Sequence, residues 1–121
     1  MPYLPIEETE VYKQFTEISD EIWEIVIGWD GFVKGTIGKQ LVRAIDSAPA
    51  NMVEGDARGT DPDAIRFFTY SRGSAREARD WIRRAMARKL LETTTATRLT
   101  AAIEDATKGL NGIIRYRRNS N

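Results

Sequence analysis

Gly38-Lys-Gln-Leu-Val-Arg-Ala-Ile-Asp-Ser-Ala-Pro-Ala-Asn-Met-Val-Glu-Gly55 is the stretch from which the rest of the chain can be read. Its apolar positions Leu41, Ile45, Ala48 and Met52 recur at intervals of four, three and four residues, one face of an α-helix. Pro49 falls inside that period, where it removes a backbone donor and crowds the carbonyl of Ile45, at a cost of about 3 kcal/mol. A helix that keeps such a proline is expected to bend there and to be held by polar neighbours. Arg43, Ser47, Asn51 and Glu54 are spaced to form that structural polar network, and Gly55 to end the helix with a positive φ. The expectation is a Pro-kinked helix over about 37–54.

Working outward, Gly28, Gly31 and Gly35 punctuate residues 28–36, which read as a loop. Before it, Val11, Phe15, Ile18, Ile22, Ile25 and Trp29 trace a helical stripe over about 10–27, with Thr9 as its N-cap. Pro2 and Pro5 discourage helix ahead of that cap. After Gly55, Thr60 or Asp61 caps a third helix with Pro62 in its first turn, running to about Leu91. Its inward face collects Ala64, Phe67, Phe68, Ser71, Ala75, Ala78, Ile82, Ala85 and Met86. Gly73 and Ser74 in mid-helix weaken it by about 0.5–1 kcal/mol each, which a close approach of another helix would offset. Thr93-Thr94-Thr95 marks a turn and cap, and Leu99, Ile103, Ala106, Leu110, Ile113 and Ile114 stripe a fourth helix over about 95–117, with Asn119-Ser120-Asn121 frayed beyond it. Four amphipathic helices joined by short connections predict an all-α fold: a single up-down antiparallel four-helix-bundle domain over 1–121.

Composition bounds the chemistry. At 121 residues, 41% hydrophobic and 30% charged, the chain is long enough for one real core and ordinary for a soluble domain. Without cysteine there is no disulfide framework and no thiolate; without histidine, the commonest general base and metal ligand are missing. The opening residues carry neither a basic region nor an apolar run, and no segment approaches the roughly 18–20 apolar residues of a membrane span, so the expected location is cytoplasmic.

Charge is balanced overall but segregated. Residues 1–30 hold Glu7, Glu8, Glu10, Glu17, Asp20, Glu21, Glu24 and Asp30 against Lys13, a net of −7. Residues 61–90 hold Arg66, Arg72, Arg76, Arg79, Arg83, Arg84, Arg88 and Lys89 against Asp61, Asp63, Glu77 and Asp80, a net of +4. Arg72, Arg76, Arg79 and Arg83 share one side of the third helix, as a stripe for phosphates or as partners for the acidic first helix of the same or a neighbouring subunit. Zero net charge and the lack of interleaved aromatics favour solvation or pairing over nucleic acid. Arg115, Arg117 and Arg118, with Tyr116, form a basic tail that either grips nucleic acid or complements the helix dipole. Trp23 and Trp81 lie off the main apolar stripes and are candidate subunit contacts.

Catalytic readings fare poorly. Arg43, Asn51 and Glu54 share a helix side, but no nucleophile accompanies them, and the nearby proline already asks for polar support. A carboxylate di-metal centre needs Glu-x-x-His pairs, and Gly35-Thr36-Ile37-Gly38-Lys39 lacks the spacing of a phosphate loop. No catalytic residue, metal, cofactor or small-molecule substrate is expected.

Ser47-Ala48-Pro49-Ala50-Asn51-Met52-Val53-Glu54-Gly55, preceded by Gln40-Leu41-Val42-Arg43-Ala44, resembles the signature of the 23S rRNA intervening-sequence proteins. The resemblance continues through Phe67-Phe68, Gly73-Ser74-Ala75-Arg76-Glu77 and Leu110-Asn111-Gly112-Ile113-Ile114, with Val11-Tyr12 where the family usually has Val-Trp. Asp46 and Ala48 depart from positions commonly apolar in the family. The resemblance implies an up-down four-helix bundle, usually a homopentamer, with no established enzymatic activity. A related bundle binds nucleic acid as the accessory protein of the reverse transcriptase in diversity-generating retroelements. The leading expectation is therefore a non-enzymatic homo-oligomer with an interaction or scaffolding role, with RNA or a ribonucleoprotein as candidate partner. The alternative is a nucleic-acid-binding accessory factor to a reverse transcriptase.

Overall fold

Residues 4–120 are described by the computed structural model, and the expectations attached to Pro2 and Asn121 fall outside that range. A single 3-10 turn, Ile6–Glu8, follows Pro5. Thr9 then caps helix α1 (Glu10–Val26), its hydroxyl accepting the Tyr12 N–H at 3.3 Å.

The loop expected over 28–36 is corrected. Asp30 turns its carboxylate onto the N–H groups of Phe32 and Val33, at 3.2 and 3.3 Å, and starts one α turn at Gly31–Val33. That turn widens into a π-helical segment, Lys34–Gly38, which passes unbroken into α2 (Lys39–Asp56). Glycine lowers helix propensity by only about 1 kcal/mol per residue, so a capped start and tertiary packing can override it. The packing is visible at Gly38, where a Cβ would stand 2.7 Å from Val26.

Helix α2 runs uninterrupted through the buried Pro49. Gly55 does not end it with a positive φ. The helix continues to Asp56, and no described glycine has that conformation. Thr60 caps α3 (Asp61–Ala87) through the Asp63 N–H at 3.3 Å, with Pro62 in the first turn. This helix stops before the expected Leu91 because Lys89 adopts φ 64. The Leu90 N–H reaches the Ala85 carbonyl at 2.8 Å and the Lys89 N–H reaches Met86 at 2.9 Å, a Schellman motif with lysine in the glycine position. Helix α4 (Thr93–Arg118) begins at Glu92 with no side-chain cap, so the three threonines form its first turn rather than its cap.

The topology follows from pairs of residues in contact across the helices. Val26 meets Gly38, Ser19 donates to Asp46, and the Ile6 N–H donates to Asp56, so α1 and α2 run antiparallel. Arg43 reaches Glu77 and Gly55 meets Phe68, setting α3 antiparallel to α2. Arg79 pairs with Glu104 and Arg72 with Asn111, setting α4 antiparallel to α3. Arg98 pairs with Glu21 and Gln14 with Asp105, closing the ring of an up-down four-helix bundle. Consequently α1 neighbours α2 and α4, and α3 lies across the core diagonal from it.

Phe15, Phe68, Ile22, Leu41, Ile45, Met52, Ile82, Leu99, Ile103, Leu110 and Ile114 fill the centre with essentially no exposure. Val26 takes the buried place that the sequence pattern assigned to Ile25 and Trp29, both of which are half-buried, as are Phe67, Met86 and Ile113. Two further glycines mark close approaches between helices. A Cβ on Gly55 would lie 2.8 Å from the Phe68 ring and 3.0 Å from the Ala64 carbonyl; on Gly109 it would lie 2.5 Å from Val11. Ser71, wholly buried, donates its hydroxyl to the Ala48 carbonyl at 2.7 Å, beside Pro49.

Candidate functional site

The polar residues around Pro49 divide into two groups. Ser47 donates its hydroxyl to the Arg43 carbonyl at 2.7 Å and Asn51 donates its side-chain amide to the Ser47 carbonyl at 2.9 Å, bracketing the proline with side chain-to-backbone bonds one turn long. Arg43 and Glu54 point outward. Arg43 donates to Gln40 at 2.7 Å and reaches Glu77 at 3.5 Å, while Glu54 accepts from Arg58 at 2.5 Å. These four side chains do not converge on a common point. Ser71 of α3 is the third donor beside the proline; its inward position was legible in the sequence, its carbonyl partner was not.

Arg76, Arg79 and Arg83 line an open groove of about 1020 Å³ between α3 and α4, faced by Thr97, Thr100 and Glu104. Arg72 continues the row and donates to Asn111 at 2.9 Å. Arg79 pairs with Glu104 at 3.2 Å and Arg83 with Asp80 at 2.8 Å, whereas Arg72 and Arg76 have no carboxylate partner among the described residues. Gly73, expected to receive another helix, faces this groove with nothing within 4 Å of the place its Cβ would occupy.

The basic tail also divides. Arg115 and Arg118 are exposed. Arg117 folds back, 22% exposed, to bond Asp61 at 3.0 Å and Asp56 at 3.4 Å. Its guanidinium lies 5.7 Å from the centre of the Phe68 ring, and Ser120 adds a bond to Asp61 at 3.0 Å. With two carboxylates already on it, Arg117 is a latch between helix ends rather than a free phosphate contact. At the other end of the bundle, Arg98 donates to both oxygens of Glu21, and this hydrogen bond holds the Glu21 carboxyl below its ordinary value of 4.5.

The two tryptophans differ. Trp81 is half-buried, its indole N–H donating to Glu77 at 3.1 Å and the Arg84 guanidinium stacked 4.7 Å from the ring centre. Trp23 is 53% exposed and, with Val26, Ile27 and Val42, forms a shallow apolar hollow edged by the stems of Lys34, Lys39 and Arg43. Ile27 is 43% exposed, and Phe32, on the turn capped by Asp30, is 80% exposed. Sequence reasoning missed Ile27 and Phe32 because both sit in the segment read as a loop or its edge. The Asp30 cap is the signal that places Phe32 on a helical turn.

Among the described residues no group of three or more Asp, Glu, His or Cys side chains is placed to share a metal ion, and no helix is long and apolar enough to cross a membrane. Fold and surface together define a four-helix bundle whose distinctive chemistry lies on its outer helix faces. The family model for the 23S rRNA-intervening sequence protein matches residues 7–112, and the chain belongs to that family. A crystal structure of a protein of unknown function from the S23 ribosomal protein family of Bacteroides thetaiotaomicron is similar in fold, with TM-score 0.77 and 18% identity over 86% of this chain and 97% of that one. No curated protein matches the chain.

Proposed function

We propose that the protein is a non-enzymatic, self-associating bundle with an interaction or scaffolding role, in the homopentameric form that the family resemblance implies. The observation that carries this reading is the apolar surface at one end of the bundle. Trp23 and Ile27 are large and exposed around the hollow they line, and Phe32 is exposed on the turn that leads into α2. Contiguous exposed apolar side chains rimmed by polar ones are characteristic of protein contacts. Mass determination in solution across a concentration series tests it. A stable oligomer that Trp23→Ala combined with Phe32→Ser dissociates supports the reading, and a monomer at every concentration refutes it.

RNA contact is a second reading, favoured by the exposure of Arg72, Arg76, Arg115 and Arg118. Binding to a mixed-sequence RNA that falls steeply with salt would support it. A role as accessory factor to a reverse transcriptase asks for a strongly basic protein, and a net charge of zero weighs against it.

A further inference from the structure

We infer that the α3/α4 face of one copy receives the outer face of α1 from the next copy, joined by charge. The inference rests on the self-association proposed above and specifies how the copies meet. Five cations occupy the α3/α4 face without a carboxylate partner among the described residues: Arg72 and Arg76 on α3, and Lys108, Arg115 and Arg118 on α4. The three on α4 share one side with Glu104 and Asn111, which bond Arg79 and Arg72 of α3. The carboxylates lining the groove between the two helices are already taken: Glu104 by Arg79, Asp80 by Arg83 and Arg84, Glu77 by Arg43.

On α1, Glu10, Glu17, Asp20 and Glu24 recur at seven, three and four residues along one exposed side, and none forms an ion pair among the described residues. Both stripes extend over about 15–20 Å at 1.5 Å per residue. The α3 cations cannot meet the acidic stripe of their own chain, because α1 and α3 stand on the core diagonal, and the α4 cations share the side of α4 that carries Glu104 and Asn111 toward α3, whereas Arg98 and Asp105 reach α1. A molecule with complementary stripes on opposite sides associates head to tail, and a repeated contact of that kind closes a ring when its rotation permits.

Three observations favour a carboxylate partner over a nucleic acid. No exposed aromatic lies in the groove for bases to stack on. The net charge is zero, and the chain itself carries the matching acidic stripe. Gly73 leaves open space on the α3 wall for an incoming helix.

Charge reversal with rescue tests the inference. Arg76→Glu with Lys108→Glu, and separately Glu17→Lys with Asp20→Lys, alter exposed side chains that have no ion-pair partner among the described residues, so circular dichroism should show each variant folded. Each is expected to raise the concentration at the midpoint of assembly at least tenfold. Combining all four changes in one chain should restore assembly. If the wild type assembles but both variants keep its mass, the inference fails while self-association stands. If the wild type is monomeric throughout, both fail. A variant that keeps the oligomer mass but loses salt-dependent RNA binding would assign the face to phosphate and overturn the inference.

Discussion

Replacing Gly55 by alanine puts the close approach of α2 and α3 to a quantitative test. An alanine in a helix interior is better than glycine by about 0.8–1 kcal/mol, so in open space the change would stabilise. At Gly55 the new Cβ would fall 2.8 Å from the Phe68 ring and 3.0 Å from the Ala64 carbonyl oxygen. The ring is wholly buried and the carbonyl belongs to α3, so neither can move aside cheaply. Overpacking of this kind costs about 1–3 kcal/mol, leaving Gly55→Ala neutral to about 2 kcal/mol destabilised. Gly112→Ala on α4 is the internal reference. Its Cβ would meet only the end of the flexible Arg115 side chain, at 3.9 Å, so the full helix gain should appear. The separation between the two variants should be about 1–3 kcal/mol in urea titrations at one fixed protein concentration. Equal stabilisation by both would refute the close α2–α3 approach.

Three other outcomes follow from particular contacts. Lys89→Gly should raise stability by about 0.5–1 kcal/mol in the same titrations, since glycine carries no side-chain penalty at φ 64. The Arg98 bond lowers the Glu21 pKa in the folded protein, so its stabilisation is present above 4.5 and is lost as pH falls through the lowered folded value. Wild type should therefore exceed Glu21→Gln by at most about 1 kcal/mol at pH 7, since the pair is partly exposed, and the difference should vanish toward pH 2. Arg117→Gln removes the latch on Asp56 and Asp61 and should cost about 1–3 kcal/mol, with amide exchange at residues 57–61 accelerating first.

Long helices with regular apolar spacing were legible from sequence because burial enforces the period: Phe15, Ile22, Ile45, Ile82, Ile103 and Leu110 are all in the core as the stripes required. The start of the second helix was hidden because three glycines read as breakers, whereas the Asp30 cap and the seat of Gly38 on Val26 outweigh their propensity. Gly55 and Lys89 exchange the roles that residue type suggests. The glycine serves helix contact and the lysine takes the left-handed turn, because the Leu90 bond to Ala85 fixes the chain there. On the surface, the row of α3 arginines followed from spacing alone. Which of them remain uncompensated depended on Glu104 and Asp80, and the withdrawal of Arg117 depended on two aspartates more than fifty residues away.

Asp56 accepts from the Ile6 backbone on one oxygen and from Arg117 on the other, so the beginning and the end of the folded chain meet at a single carboxylate. A circle of four helices with adjoining ends has no topological need for its break to be there. A few residues joining position 120 to position 4 would close the polypeptide, and a new opening could be cut at the opposite end, in the Lys89–Glu92 turn. The same core would then be reached in a different order of synthesis, with α4 emerging first and α3 last.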